Sequence, residues 1–167
     1  MIDKKNSMNL SARKTRITVV DDHPVVLEGL AQLINREDDL VVCATAGNAK
    51  KALEAIKKQQ VDLVIVDMLL KNTTGVQVTI ELKSRWPNLY VLILSMSDDP
   101  YHVKRAFQAG ARGYVTKDEV SEKIIAAIRQ VLKGGIYVSK RIARQFTKKI
   151  IAGWILEADT EGTLGKV

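Results

Sequence analysis

Short apolar runs rich in β-branched residues alternate five times with segments of helical periodicity, and this alternation limits the folds open to the chain. The apolar runs predict strands at 17–20, 40–46, 63–66, 90–95 and 113–116. Helices are predicted between and after them, near 24–36, 48–59, 75–86, 100–109 and 119–133. Five alternations of this kind predict an α/β fold, a doubly wound five-stranded parallel sheet with helices on both faces.

Charged and hydroxyl side chains stand at the ends of four of the five predicted strands. Asp21 and Asp22 follow the first strand, Asp67 the third and Lys117 the fifth, and Ser95 ends the fourth. In parallel sheets the carboxyl ends of the strands meet at one edge, where ligands bind near the change in strand order. Two adjacent carboxylates at the end of a buried strand repel each other unless a cation relieves them. The pattern therefore predicts a cation site at this edge, and the lysine indicates a second, anionic ligand.

The composition predicts a soluble, cytoplasmic globular protein. With 167 residues, 46% of them hydrophobic, the chain can bury a core of ordinary size. The single cysteine, Cys43, excludes a disulfide framework and a cysteine-rich zinc site, which favours a reducing compartment. No stretch has the apolar run of a signal peptide or the roughly 20 apolar residues of a membrane span, so no membrane partner is expected.

The net charge of +7 is concentrated near the two ends of the chain. Residues 1–16 carry a net charge of +4 and residues 133–150 a net charge of +6, which leaves residues 17–132 close to neutral. A basic surface spread over the whole fold would favour a nucleic-acid partner. Neither basic end predicts a recognition helix preceded by a supporting helix. We therefore expect this chain to bind DNA only through an output domain that it does not itself show.

Three motifs in the predicted strand ends and loops resemble one known family. They are VVDDHPVVLEGL at 19–30, LVIVDMLLKNTTG at 63–75, which places Gly75 eight residues after Asp67, and LILSMSDDPYHVKRAFQAGARGYVTKD at 92–118. Together they resemble the receiver domain of two-component response regulators, in its NarL/FixJ (LuxR-type) branch. The resemblance covers about residues 16–138.

The resemblance implies a flavodoxin-like strand order of 2-1-3-4-5 and a signalling protein rather than an enzyme. It implies that Asp67 accepts a phosphoryl group from a phosphohistidine of a sensor histidine kinase, its partner. Mg²⁺, which prefers oxygen ligands, is the implied cofactor. Asp22 and Asp67 would bind it directly together with the backbone carbonyl of Leu69, and Asp21 would act partly through water.

Three further residues have implied roles at the phosphoryl group. Lys117 would offer a compact positive charge to the phosphoryl oxygens, and Ser95 would offer a hydroxyl donor. The resemblance also implies that Ser95 moves toward the phosphoryl group and that Tyr114 turns inward into the space it leaves. This switch would change the surface formed by the fourth helix, the fifth strand and the fifth helix, and so control an output, namely transcription in a longer parent protein.

The C-terminal part of the chain departs from the family pattern. No helix-turn-helix output domain is predicted after the receiver, so the chain is a receiver cut from a longer regulator, a single-domain receiver or a truncated product. Residues 139–156 predict one basic linker helix, whose apolar residues at four-residue spacing are Ile142, Phe146, Ile150 and Trp154. This stripe would connect to an output domain or support a homodimer. The predicted divisions are a basic tail (1–15), a receiver (16–138), the linker helix (139–156) and a second tail (157–167).

Two other classes of protein fit parts of the pattern. A phosphatase of the haloacid-dehalogenase type also uses an aspartate nucleophile with Mg²⁺, but it needs Asp-x-Asp after its first strand, which Asp21-Asp22-His23-Pro24 does not supply. A flavin-binding protein of the flavodoxin type needs an anion-accepting first loop, and the two aspartates would repel its phosphate. His23 is expected to pack in its loop rather than to bind metal, because Mg²⁺ prefers oxygen ligands.

Overall fold

The structure, a computed structural model, describes residues 13–164, apart from the side chains at 158 and 160–164. The predicted N-terminal tail therefore falls almost wholly outside the described residues. Its proposed end at residue 15 coincides with the first residue of a strand.

A single parallel sheet forms the centre of the fold. Its strands are β1 (Thr15–Val20), β2 (Leu40–Ala46), β3 (Leu63–Asp67), β4 (Tyr90–Ser95), β5 (Gly113–Thr116) and β6 (Tyr137–Val138). The order across the sheet is β2-β1-β3-β4-β5-β6, and every neighbouring pair is parallel. This confirms the α/β flavodoxin-like architecture and corrects the strand number, since the described residues form six strands rather than five. The sixth has only two residues, too few to produce a periodic pattern, and it forms by pairing with β5.

Seven helices surround the sheet within the described residues. They are α1 (Pro24–Asn35), α2 (Ala49–Lys58), α3 (Gly75–Arg85), α4 (Pro100–Gln108), α5 (Val120–Leu132), α6 (Lys140–Gln145) and α7 (Lys148–Leu164). Local signals explain where several of them begin: the side chains of Asn48, Thr74 and Asp99 each accept a hydrogen bond from a backbone N–H of the first turn. Pro24 and Pro100 occupy first-turn positions, where a missing N–H is tolerated. None of the helices described is long and apolar enough to cross a membrane.

The prediction of one linker helix over residues 139–156 is wrong in two respects. It is divided into α6 and α7, because Phe146 adopts an extended backbone with φ −135° and ψ 135°. The hydroxyl oxygen of Thr147 then accepts the N–H of Ile150 at 3.3 Å and begins the next helix, which continues to Leu164 through part of the predicted tail. The break also rotates the buried face, so that Ile150 is 47% exposed whereas its neighbour Ile151 is fully buried.

The two faces of the sheet carry separate hydrophobic cores. One core joins the sheet to α1 and α5, and the other joins it to α2, α3, α4, α6 and α7. Alternate residues of the central strands point to opposite faces; in β3, for example, Ile65 belongs to the first core and Val66 to the second. Because both faces are covered, every residue of β3 is buried.

Candidate functional site

The carboxyl edge of the sheet brings together the polar residues that end four strands. Asp67 and Ser95 are the last residues of β3 and β4, Asp21 follows β1, and Lys117 follows β5. Asp21 and Asp67 are buried although both are carboxylates. Their convergence follows from the parallel order, in which β1, β3, β4 and β5 are consecutive neighbours.

The loop after Asp67 is folded back tightly on the strand. The N–H of Gly75 donates to the carbonyl of Met68 at 2.7 Å, and the N–H of Leu70 donates to the carbonyl of Thr73 at 3.1 Å. A Cβ atom on Gly75 would lie 2.6 Å from the carbonyl oxygen of Asp67, closer than non-bonded atoms approach. A glycine eight residues after Asp67 is therefore required by the close approach of two backbone segments.

Three carboxylates and one imidazole form a compact group of metal-ligating side chains. One ligand atom from each of Asp21, Asp22, His23 and Asp67 lies within 4.8 Å of the others. Oδ1 of Asp22 is buried and accepts no hydrogen bond from the residues described, although Nδ1 of His23 lies 3.1 Å away. A buried carboxylate oxygen without a donor is costly unless a cation meets it. The residues therefore fit a divalent cation, and the predominance of carboxylate oxygens fits a hard one such as Mg²⁺.

His23 lies closer to this group than the sequence suggested. Its Nδ1 is 2.7 Å from Oδ1 of Asp21 and 3.1 Å from Oδ1 of Asp22, and its backbone N–H also donates to Asp21 at 2.8 Å. The side chain is 62% exposed, so it closes the outer side of the group rather than packing into the loop. The sequence did contain a signal for this contact. His23 lies two residues after Asp21, and an aspartate side chain commonly accepts the backbone N–H of the residue two positions later.

Lys117 joins the two buried carboxylates. Its Nζ is 3.0 Å from Oδ2 of Asp67 and 3.2 Å from Oδ2 of Asp21, and its side chain is 15% exposed. Burial lowers the pKa of Lys117, but its hydrogen bond to Asp67 and the charges of Asp67 and Asp21 outweigh burial and raise that pKa overall. The lysine therefore carries a fixed positive charge beside Asp67.

The carboxylate of Asp67 is held by donors on both oxygens. Lys117 donates to Oδ2, and the backbone N–H of Leu69 donates to Oδ1 at 3.3 Å. Burial is the largest influence on Asp67 and raises its pKa; the hydrogen bond from Lys117 opposes this, and the charge of Asp21 adds to it. The negative charge concentrated at Asp67 and Asp21 favours binding of a cation, and the ammonium of Lys117 already makes such a contact.

Ser95 and Tyr114 are linked through the loop between β4 and α4. The hydroxyl oxygen of Ser95 accepts the N–H of Ser97 at 3.0 Å, and the hydroxyl of Tyr114 donates to the carbonyl of Ser97 at 2.6 Å. The ring of Tyr114 is turned inward and fully buried, which is the main reason that its pKa is raised. Ser97 thus connects the two residues, a role that the sequence alone did not indicate.

Comparison with protein families identifies one match. Residues 17–129 match the response regulator receiver domain family. The transcriptional regulatory protein DegU of Brevibacillus brevis is 29% identical over 140 residues, which cover 84% of this chain and 59% of DegU. The oxygen regulatory protein NreC of Staphylococcus epidermidis is 28% identical over 137 residues, covering 81% of this chain and 63% of NreC. The chain thus spans about three fifths of the length of these curated relatives.

Solved structures with the same fold include isolated receiver domains. A two-component response regulator of the LuxR family from Aurantimonas sp. SI85-9A1 aligns with a TM-score of 0.77 and 32% identity, over 83% of this chain and 99% of that one. The receiver domain of the response regulator NarL from Mycobacterium tuberculosis aligns with a TM-score of 0.69 and 32% identity, over 73% and 98%. RcsB of Salmonella typhimurium, at 19% identity and a TM-score of 0.73, supports the fold alone.

Proposed function

This chain belongs to the response regulator receiver domain family, and we propose that it accepts a phosphoryl group on Asp67 from a phosphohistidine of a sensor histidine kinase. The observation that carries the proposal is the position of Lys117, whose Nζ lies 3.0 Å from Asp67 and 3.2 Å from Asp21 at the carboxyl edge of the sheet. A buried carboxylate held beside a fixed cation and a metal-ligating group is suited to accepting a phosphoryl group.

The transfer forms one bond and breaks another. A carboxylate oxygen of Asp67 bonds to phosphorus, the phosphorus–nitrogen bond to the kinase histidine breaks, and its electron pair stays on the imidazole, which takes up a proton. Lys117 neutralises charge on the phosphoryl oxygens, and the hydroxyl of Ser95 donates a hydrogen bond to them. The chain would thus accept a phosphoryl group from a kinase and would not be an enzyme with a substrate of its own.

Mg²⁺ is the proposed cofactor. Asp21, Asp22 and Asp67 would hold it together with the backbone carbonyl of Leu69, in line with the buried oxygen of Asp22 that accepts no hydrogen bond from the described residues. When bound, it neutralises phosphoryl oxygens and relieves repulsion between the carboxylates. His23, an exposed nitrogen donor, is placed beside Asp21 as a positioning residue and not as a Mg²⁺ ligand.

The output of the signal is proposed from the switch residues and from the relatives. The link from Ser95 through Ser97 to Tyr114 would pass a change at Asp67 to α4 and β5. DegU is described as a transcriptional regulatory protein, and we propose that this receiver controls transcription through an output domain in a longer parent, which would supply DNA binding. A single-domain receiver that acts through protein contacts, including a homodimer, is the second candidate, favoured by the exposed apolar side chains of Ile150 and Leu156 on α7. The receiver would comprise residues 16–138, followed by the segment 139–156 and the tail 157–167. The single cysteine fits a protein of the reducing cytoplasm, which is the proposed location.

The test is intact-mass measurement after incubation with acetyl phosphate and Mg²⁺. We expect one added phosphoryl group on the wild type and none on Asp67→Asn. Asp38→Asn, which removes an aspartate outside the site, is the matched control and should be labelled normally. Removal of Mg²⁺ with a chelator should abolish labelling, and Asp22→Ala should require more Mg²⁺. Labelling of Asp67→Asn at another residue, such as Asp21 after β1, would contradict the assignment and favour a phosphatase-like site.

A further inference from the structure

The C-terminal segment, defined here as residues 139–156, adds to the hydrophobic core around α4. Helix α7 packs against α4. Its residues Ile151, Trp154 and Ile155 are buried in the same hydrophobic core as Val103 and Phe107 of α4. The segment lies outside residues 17–129, which match the receiver family.

Trp154 anchors this contact at the middle of α4. Its ring packs edge-on against the ring of Phe146, with centroids 4.9 Å apart and planes at 72°. The ammonium of Lys104 on α4 lies 6.0 Å from the centroid of the Trp154 ring, within the range of a cation–π interaction. The side chain of Trp154 thereby reports directly on whether α7 is docked.

Arg141 attaches the same segment to the phosphoacceptor site. One of its guanidinium nitrogens is 3.2 Å from Asp98, and the other is 3.1 Å from Asp118. Asp98 lies three residues after Ser95 in the loop before α4, and Asp118 directly follows Lys117 in the loop before α5. A single side chain from α6 thus bridges the two loops that carry the phosphoryl-binding hydroxyl and ammonium.

The C-terminal segment is also connected to the inward Tyr114. The ring of Tyr114 belongs to the same hydrophobic core as Ile142 of α6 and Trp154 of α7. Its hydroxyl donates to the carbonyl of Ser97, which is adjacent to Asp98. Docking of the segment, the position of the loop before α4 and the inward Tyr114 therefore stabilise one another.

We propose that the C-terminal segment is a built-in positive effector of the phosphoacceptor site, with Arg141 as the positioning residue that holds both loops in the phosphoryl-binding arrangement. This inference rests on the proposed phosphorylation of Asp67. Coupling between two sites is reciprocal: if docking favours phosphoryl binding, phosphoryl binding must strengthen docking by the same factor. Because both ion pairs are partly exposed, the contribution of Arg141 is modest and falls as salt rises.

The first test measures affinity for the phosphoryl mimic beryllofluoride, by calorimetric titration of the full chain in Mg²⁺. We expect Arg141→Ala to weaken binding by about threefold at low salt, with less loss at high salt. Arg141→Lys should retain part of the affinity, since an ammonium can pair with one carboxylate but not bridge two as the planar fork does. Arg144→Ala, which removes another exposed arginine of α6, is the matched control and should bind like the wild type.

The second test measures the reciprocal effect on docking. Trp86→Phe leaves Trp154 as the one tryptophan of the chain, because the sequence has two. Acrylamide quenching of Trp154 should fall when Mg²⁺ and beryllofluoride are added, and it should not change in the Asp67→Asn variant. The fall should be smaller when Arg141→Ala is added.

The outcomes separate this inference from the function on which it rests. If the wild type does not bind beryllofluoride, the proposed phosphorylation of Asp67 is wrong. If the wild type binds it and Asp67→Asn does not, but Arg141→Ala equals the wild type and Trp154 quenching is unchanged, the effector role alone is refuted. Increased quenching on binding would show that phosphorylation releases α7, which also overturns the proposal.

Discussion

The two faces of the sheet are covered in different ways. On the face of α1 and α5, every buried core residue lies between Ile17 and Val131, close to the limits of the family match. On the face of α2, α3 and α4, the core also takes in Ile142, Ile151, Trp154 and Ile155 from beyond that match. One half of the molecule is thus complete within the receiver, whereas the other half is closed by the C-terminal segment.

Each face also has one arginine that pairs with two carboxylates, and their locations differ. Arg129 of α5 pairs with Glu37 at 3.0 Å and with Asp39, both in the connection that leads into β2 at the amino edge of the sheet. Arg141 pairs with Asp98 and Asp118 at the carboxyl edge, beside the phosphoacceptor. The ion pairs of Arg129, at the amino edge, can therefore affect stability only. Those of Arg141 lie beside the phosphoacceptor, where they can influence its chemistry.

The largest effect is expected where the second core is completed. Ile151→Ala should lower the free energy of unfolding by about 2–4 kcal/mol, because a fully buried isoleucine leaves a cavity when truncated. Ile150→Ala is the matched control, and it should cost less than about 1 kcal/mol since its side chain is half exposed. Chemical denaturation followed by circular dichroism measures both.

Ile124→Ala, in α5 on the opposite face, provides the reference for an ordinary core position. If the second core depends on α7 as described, Ile151→Ala and Ile124→Ala should have similar effects. Equal, small effects of Ile151→Ala and Ile150→Ala would show that α7 is not part of the folded core.

A smaller effect of opposite sign is expected at two glycines inside helices. A Cβ atom on Gly153 of α7 or Gly29 of α1 would meet nothing within 4 Å, and neither glycine has a positive φ. Gly153→Ala and Gly29→Ala should therefore each stabilise the protein by about 0.5–1 kcal/mol, through helix propensity. A rise in thermal midpoint for Gly29→Ala but not for Gly153→Ala would show that α7 is not folded as part of the same cooperative unit.

The smallest effect concerns the ion pair on the self-contained face. The hydrogen bond from Arg129 is the main reason that the pKa of Asp39 is lowered from 3.8. A lowered pKa in the folded state stabilises the protein above the unfolded pKa, and the stabilisation is lost as pH falls through the folded pKa. Asp39→Asn should lower the thermal midpoint by about 1–2 °C at pH 7, because the pair is exposed.

The difference between Asp39→Asn and the wild type should shrink as pH falls below 3.8 and vanish below the lowered pKa of Asp39 in the folded protein, where the wild-type carboxylate is protonated. A difference that persists unchanged in acid would mean that the pair contributes through packing and not through charge.

Much of the site was predictable because its residues are set by local rules. Four of the five predicted apolar runs end at a polar residue that the proposed chemistry needs, and the parallel order brings those ends together. Asp21, Asp67, Ser95 and Lys117 all lie at one edge as expected. The spacing from Asp67 to Gly75 follows in the same way, because the loop returns so close to the strand that a Cβ atom would lie 2.6 Å from the Asp67 carbonyl oxygen. Periodicity and turn chemistry act over a few residues, and these a sequence displays directly.

The alternating strands and helices, the parallel sheet and the residues of its carboxyl edge could all be predicted from the amino-acid sequence. The sixth strand, the division of the C-terminal helix at Phe146 and the bridge made by Arg141 depend instead on the packing of the folded chain. These features escape a sequence pattern because β6 and the buried face of α7 are stabilised by partners that are distant in the chain. The pairing of a two-residue strand with β5 produces no local sequence pattern, and neither does the contact of an isoleucine with α4. The stabilising free energy of both contacts arises only after the sheet has formed.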